Sequence, residues 1–230
     1  MELSKRLQAV ADLVGKNYVV ADVGTDHGYI PIYLIESGKC EKAFAMDVNE
    51  GPLLRAKEHI EMHGLADQIT TRLSDGVKAL QISECESVVV AGMGGALAIK
   101  IMEEGKEIFK NLKEFVLQPQ SELEKVRQYL VENDFQIVDE DMVLEDGKFY
   151  PMMKVVNART SQYSLVELRY GRILLNKKHP VLKMFLEKEV IKKEMIISNL
   201  QSQQAEHIRI RIQELQTELE IVKETLAVYF

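Results

Sequence analysis

The sequence predicts an α/β fold: a doubly wound, mainly parallel sheet over residues 1–157, closed by an antiparallel hairpin, and then a small helical unit over residues 158–230. Three observations carry this. Short β-branched or aromatic runs alternate with segments whose apolar residues recur every three or four positions, the signature of βαβ units. Two strand-like runs meet at Asp146-Gly147, a dipeptide suited to a two-residue hairpin turn. Beyond Val156 the strand signals stop, and apolar residues keep helical spacing to Phe230.

Taken in order, "YVVADVG" and "KAFAMDV" are strand-like runs that end in an acid, and "ITTRLSDG" is a weaker one. "SVVVAGMGG" and "EFVLQP" are apolar runs that end in turn residues. Between them "YIPIYLIESG", "GPLLRAKEHIEMHG" and "ALAIKIMEEGKEIF" carry helical periodicity. Ser121, with Glu124 three residues on, predicts a capping box that opens the helix "ELEKVRQYLVEND". "FQIVDEDMVLEDGKFYPMMKVV" supplies the hairpin, and five parallel strands plus a hairpin suit a doubly wound sheet. "NARTSQ" reads as a polar linker and "YSLVELRYGRILLN" as helical. Pro180 fits the first turn of a helix of roughly 20 residues, after which "SQQAEH" breaks the apolar rhythm. Ile208, Ile212, Leu215, Leu219, Val222 and Leu226 then form a heptad seam. Two long helices folded back as an antiparallel coiled-coil hairpin satisfy this pattern. A single continuous helix that dimerises is the competing arrangement, so a monomer or a weak homodimer is expected.

Composition excludes whole classes of function. Hydrophobic residues make up 46% and charged residues 28%, as in an ordinary soluble domain. No apolar stretch approaches the length of a membrane span, and the charged, amphipathic "MELSKRLQAVADL" does not read as a signal peptide, so a cytoplasmic protein with no membrane partner is expected. Cys40 and Cys85 give neither a disulfide framework nor a metal cluster, and His59, His63, His179 and His207 lack metal-ligand spacing; no metal is expected. The net charge of −7 is unevenly spread: residues 1–157 carry 17 Lys+Arg against 27 Asp+Glu, and residues 158–230 carry 12 against 9. A polyanionic partner would therefore be held mainly by the C-terminal part.

The turn after the first strand, "DVGTDHG", carries the chemistry. Gly24 and Gly28 let a ligand approach the backbone. A dinucleotide loop would read G-x-G-x-x-G, but Asp26 stands where the middle glycine should be and Asp22 lies two residues before Gly24. Two carboxylates repel a pyrophosphate and attract an ammonium or a sulfonium, which points to S-adenosylmethionine. Asp47, ending the second strand, is placed to accept from ribose hydroxyls, and Asp75, ending the third, from an adenine amine.

At these residues the sequence resembles the class I S-adenosylmethionine-dependent methyltransferases. The combination of "LSKRL", "DVGTDHG", "MDVN", "SDG", "AGMGG" and "LQPQ" is similar to one group within them, the bacterial tRNA adenine-N1-methyltransferases that act on adenine 22. The resemblance implies a Rossmann-like sheet that binds S-adenosylmethionine, with a helical extension for tRNA. It implies cofactor contacts from Asp22, Gly24, Thr25 and Gly28, from Asp47, Val48 and Asn49, from Asp75 and Gly76, and from Ala91, Gly92 and Met93. It implies a catalytic role for Asp26.

Adenine N1 already presents an in-plane lone pair, so catalysis is mostly positioning. That agrees with "AGMGG" standing where amine methylases carry an Asn/Asp-Pro-Pro-aromatic motif. Asp26 would accept from the target amine and stabilise the positive charge of the product base; as a competing role it would cap the following helix. Tyr29 and Tyr150 are candidate stacking partners for an extruded base, and His27 reads as a loop residue. For RNA the candidates are Arg6, Lys177, Lys178, Lys188, Lys192, Lys193, Arg209 and Arg211, with Arg169 and Arg172 nearer the core. A methyltransferase acting on another RNA, a protein or a small molecule remains open, as does a non-catalytic RNA-binding module; a nicotinamide dehydrogenase fits the loop least well.

Overall fold

A computed structural model describes residues 1–201 and 205–230. Residues Met1–Tyr163 form one compact unit and Ser164–Phe230 a second. The first unit runs α1 (Lys5–Leu13), β1 (Val20–Val23), α2 (Tyr29–Glu36), β2 (Ala43–Asp47), α3 (Glu50–Met62), β3 (Ile69–Leu73), β4 (Ser87–Met93), α4 (Gly95–Glu104), α5 (Lys106–Asn111), β5 (Glu114–Pro119), α6 (Leu123–Glu132), β6 (Phe135–Glu145) and β7 (Lys148–Asn157). The second runs α7 (Leu165–Tyr170), α8 (Arg172–Asn176), α9 (Pro180–Leu200) and α10 (Glu206–Tyr229).

The seven strands form one sheet in the order β3-β2-β1-β4-β5-β7-β6. β1 to β5 are parallel, while β7 pairs antiparallel with both β5 and β6. Every residue of β1 and β5 is buried, as expected for strands covered on both faces. Chain direction therefore collects the carboxyl ends of β1, β2, β3 and β4 along one edge, and the strand order reverses between β1 and β4. Ligands of such sheets sit at that switch point. The turn between β6 and β7 has positive φ at both Asp146 (48°) and Gly147 (75°), with Glu145 paired to Lys148. That is the conformation whose twist matches the flanking strands.

α1 is capped by Ser4, whose hydroxyl accepts from the Leu7 amide at 3.3 Å. It packs on α2 and on β5, β6 and β7, placing Ala9, Val10, Ala11 and Leu13 in the core. The segment 96–109, expected as one helix, is divided at Gly105, where a Cβ would run into Val77. Under α6 lies a fully buried ion pair, with Arg127 at 3.0 Å from Glu140 of β6. Cys40 and Cys85 are both buried, which pushes their thiols up to about 12.

In the second unit the stretch expected as a single helix divides at Gly171, whose φ of +91° ends α7 and starts α8. α7 opens on a capping box between Ser164 and Glu167. α9 and α10 pack against each other, with Lys193 bonded to Glu218 at 2.5 Å and Lys223 to Glu194 at 2.7 Å. These ion pairs tie α9 to α10 along their length. All six seam residues, Ile208 to Leu226, are buried or half-buried. The expected break at "SQQAEH" falls partly on residues 202–204, outside the described residues.

Candidate active site

The first loop turns because the Met46 carbonyl accepts from both the Gly24 and the Thr25 amides, each at 2.8 Å. Gly24 sits at φ +76°, and a Cβ there would collide with the Met93 methyl. The left-handed backbone favours glycine, and a larger residue would also have to displace the Met93 side chain. His27 and Gly28 follow, also left-handed (φ 59° and 68°), and swing the chain into α2 with Gly28 as its cap. Asp26 is therefore not the helix cap, the competing role its residue type suggests. Its carboxylate is exposed, 3.4 Å from Arg55 Nη2 and 3.5 Å from His27 Nε2.

A cavity of about 280 Å³ opens over this loop. Asp22, Gly24 and Asp26 line one side, Tyr29 and Ile30 of α2 another, and Ala91 and Gly92 of β4 a third. Arg6 and Leu7 of α1 and Gln120 beyond β5 complete it. Asp22 is buried at 6% exposure, and burial, reinforced by nearby Asp47, pushes its carboxyl up to about 6. Among the described residues it has no cationic partner. Thr25 Oγ1 is buried beside it, near enough to temper the shift but without a hydrogen bond of good geometry. A buried carboxylate lacking a counter-charge, an orphaned hydroxyl and a glycine-cradled turn fit a ligand with a cationic end. They do not fit a diphosphate.

The far wall depends on residues 118–122. Gln118 is fully buried, and its Oε1 accepts from Arg6 Nη1 at 2.9 Å and from the Gly92 amide at 3.2 Å. Arg6 also lies over the Tyr150 ring, 5.6 Å from its centroid. Reasoning from sequence does not single out Gln118 and Gln120 as site residues, although the "LQPQ" that holds them is itself a signal. The expected capping box of Ser121 and Glu124 does not form. α6 starts at Leu123 behind Glu122, which sits at φ +53° with no side-chain cap. Ser121 Oγ instead accepts from the Gly95 amide at 3.2 Å, and Glu122 from the Ala96 amide at 3.1 Å. These two side chains satisfy the first two amides of α4 from outside the helix.

The remaining expected cofactor residues lie at neighbouring strand tips but outside the cavity lining. Asp47 ends β2 and accepts from the Asn49 amide at 2.8 Å, while Val48 is exposed. Asp75 lies two residues beyond the end of β3 and is bonded to Lys78 at 2.5 Å, which holds its carboxyl below the usual range. Gly76 follows with φ +60°.

In the second unit Lys177, Lys178, Lys188, Lys192, Arg209 and Arg211 are exposed. Lys193 is half-buried and ion-paired, Lys192 lies 3.6 Å from Glu189, and Arg211 lies 2.8 Å from Glu214.

Comparison with known proteins gives this geometry a context. Residues 3–153 match a family model described as a methyltransferase domain. The chain is 31% identical to the tRNA (adenine(22)-N(1))-methyltransferase of Bacillus subtilis over 98% of each protein. The solved structure of Streptococcus pneumoniae Sp1610 in complex with S-adenosyl-L-methionine superimposes with a TM-score of 0.88 at 34% identity, covering 98% of this chain and 100% of that one. M. capricolum TrmK in complex with S-adenosyl-homocysteine superimposes with a TM-score of 0.86 at 26% identity, covering 100% of both chains. With a shared domain and similarity along the full length, the chain belongs to the methyltransferase-domain family and, within it, to the tRNA (adenine(22)-N(1))-methyltransferases.

Proposed function

We propose that this protein transfers a methyl group from S-adenosylmethionine to N1 of adenine 22 in tRNA. The observation that carries the reading is Asp22: a buried carboxylate at the sheet's switch point, its carboxyl raised to about 6, with no cation beside it among the described residues. S-adenosylmethionine supplies, when bound, an electrophilic methyl on a sulfonium together with an ammonium group. Asp22 and the Thr25 hydroxyl would hold the cationic amino-acid end. Asp47 at the tip of β2 would take the ribose hydroxyls, with Val48 and Asn49 beside it, and Asp75 with Gly76 would face the adenine. For Asp75 this requires exchanging Lys78, an exposed partner that water can replace.

Asp26 is the residue we assign to the target base. Its carboxylate stands at the cavity mouth, free of helix-capping duty, where it can accept from the adenine amine and set the ring's orientation. Methylation at N1 leaves the base positively charged, and a carboxylate already in place stabilises that charge as it develops. Ala91 and Gly92 present no bulky side chain on the opposite wall, which leaves room for an extruded base. Arg6, fixed by Gln118 and Tyr150, is the one basic side chain of the lining and suits a phosphate of the incoming strand. The basic residues of the second unit, where α9 and α10 would form a coiled-coil hairpin, are assigned to the tRNA backbone.

The test is to incubate unmodified bacterial tRNA with the protein and labelled S-adenosylmethionine, and to map the modified nucleotide. 1-Methyladenosine at position 22 is expected; label elsewhere, or none, defeats the reading. Asp26→Ala is expected to lower kcat roughly 100- to 1,000-fold with cofactor affinity nearly unchanged. Asp47→Ala is expected to weaken cofactor binding by about tenfold or more, read by calorimetry.

A further inference from the structure

We infer that His59 of α3 is a positioning residue for the target-base site, acting through the backbone of the 26–29 loop. The inference rests on the assignment of Asp26 above. His27 is not glycine, yet it occupies the left-handed region at φ 59°. That conformation costs a residue with a Cβ some free energy, and it persists only where neighbours hold it. Gly28, also left-handed, follows directly, so two consecutive residues decide where Asp26 and Tyr29 project.

One face of α3 forms the seat of this loop. A Cβ built on Gly28 would lie 3.6 Å from both Ala56 Cβ and Ile60 Cδ1, so the loop rests on α3 in close contact. Between those two apolar residues in the chain stands His59, half-buried, with Nδ1 at 3.1 Å from the His27 carbonyl oxygen. A carbonyl only accepts, so Nδ1 carries the hydrogen and donates. The same ring meets Tyr29 edge-on, with centroids 5.5 Å apart, and lies 5.6 Å from the His27 ring. His27 and Tyr29 in turn stack at 5.3 Å with 19° between their planes. A single side chain thus fixes the carbonyl of the left-handed residue and both aromatic rings that follow Asp26 in the chain. Arg55, one helical turn earlier on α3, lies 3.4 Å from the Asp26 carboxylate itself. Loop and helix are joined on the side assigned to the base, while Gly24 and Thr25 are held separately through Met46 of β2.

That separation predicts a divided effect. Loss of the His59 donor should let the 26–29 turn relax and misplace Asp26, which costs turnover. It should leave the anchored Asp22–Thr25 segment, and hence cofactor binding, almost unchanged. Asparagine places an amide nitrogen as many bonds from Cα as the imidazole Nδ1, so it can restore the bond; phenylalanine keeps the ring and removes the donor.

The experiment measures single-turnover methyl transfer to tRNA at saturating cofactor, together with cofactor affinity and thermal midpoint, for wild type, His59→Asn, His59→Phe and His59→Ala. His59→Phe and His59→Ala are expected to lose roughly 10- to 100-fold in rate, with cofactor affinity within about threefold, and His59→Asn to recover most of the loss. The inference is overturned if His59→Phe keeps the wild-type rate, or if His59→Asn is as slow as His59→Ala while both are folded by their thermal midpoints. A parallel fall in cofactor affinity across all three variants also overturns it, because the effect would then be one of general stability. Should the wild-type protein itself leave tRNA unmethylated, the functional reading fails, and that result is distinct from all of these.

Discussion

At the scale of single residues, Asp22 makes the sharpest prediction, because its environment opposes its charge. The carboxyl rises from 3.8 to about 6 through burial, so between those values the folded protein keeps a proton that the unfolded chain has released. Stability contributed by the protonated form is complete below about pH 4 and is lost as pH rises through 6. The shift corresponds to about 3 kcal/mol, since one unit is worth about 1.4 kcal/mol. Asp22→Asn removes this dependence. The stability of the variant relative to wild type, measured by denaturant unfolding without ligand, is therefore expected to increase by about that amount from pH 4 to pH 7. A cation bound beside the carboxylate reverses the sign. Cofactor affinity of the wild type should strengthen as Asp22 ionises between pH 5 and pH 7, and the variant should lose most of that dependence in calorimetry. A flat difference between the two proteins would place the charge compensation elsewhere. Legibility is uneven at this scale. Asp22 and Asp26 can be read from sequence because the loop's departure from a dinucleotide pattern is local. Gln118 and Arg6, bonded at 2.9 Å across 112 residues, are linked by no local signal.

At the scale of elements, the sheet is legible where periodicity and turn chemistry agree. β1, β2, β4 and β5 are short apolar runs bounded by turn residues, and all four are parallel strands. What misleads is chemistry that looks local but is satisfied at a distance. Ser121 carries the spacing of a capping box, yet its hydroxyl serves the Gly95 amide of another helix. Gly105 and Gly171 interrupt runs whose apolar spacing continues through them, so periodicity reads one helix where backbone geometry makes two. The buried pair of Arg127 and Glu140 belongs to this scale as well, since it ties α6 to β6 with exposures of 1% and 0%. Removing one partner strands a charge in the core. Glu140→Gln is expected to cost about 3–5 kcal/mol in denaturant unfolding, and the paired change Arg127→Met with Glu140→Leu to recover most of it. If the single variant costs under about 1 kcal/mol, the pair contributes only packing.

At the scale of the whole molecule, charge separates what fold cannot. The sequence carries a net −7, yet residues 158–230 hold 12 basic against 9 acidic side chains. Several of those cations are already engaged. Lys193 is bonded to Glu218 and Arg211 to Glu214, so their charge is partly neutralised within the helices. Lys177 and Lys178, at the end of α8, and Lys188 and Lys192, along α9, are also exposed, and an exposed ion pair such as that of Lys192 with Glu189 exchanges readily for a phosphate. Neutralising backbone phosphates in this way releases counterions, so each lysine adds to the salt dependence of binding rather than to the chemistry of the bound base. Substituting these four lysines with glutamine in the full chain is expected to weaken tRNA binding at least tenfold near physiological salt. It should also flatten the slope of log affinity against log salt by roughly one for each lysine that no longer neutralises a phosphate. Cofactor affinity and the rate at saturating tRNA should stay within about twofold of wild type, because Asp22 and Asp26 belong to the first unit's sheet and loop. Filter binding across a salt series, read beside single-turnover rates, separates the two. An unchanged salt slope in the quadruple variant would move the RNA-binding surface away from the second unit and leave Arg6 and the cavity rim as the anchor.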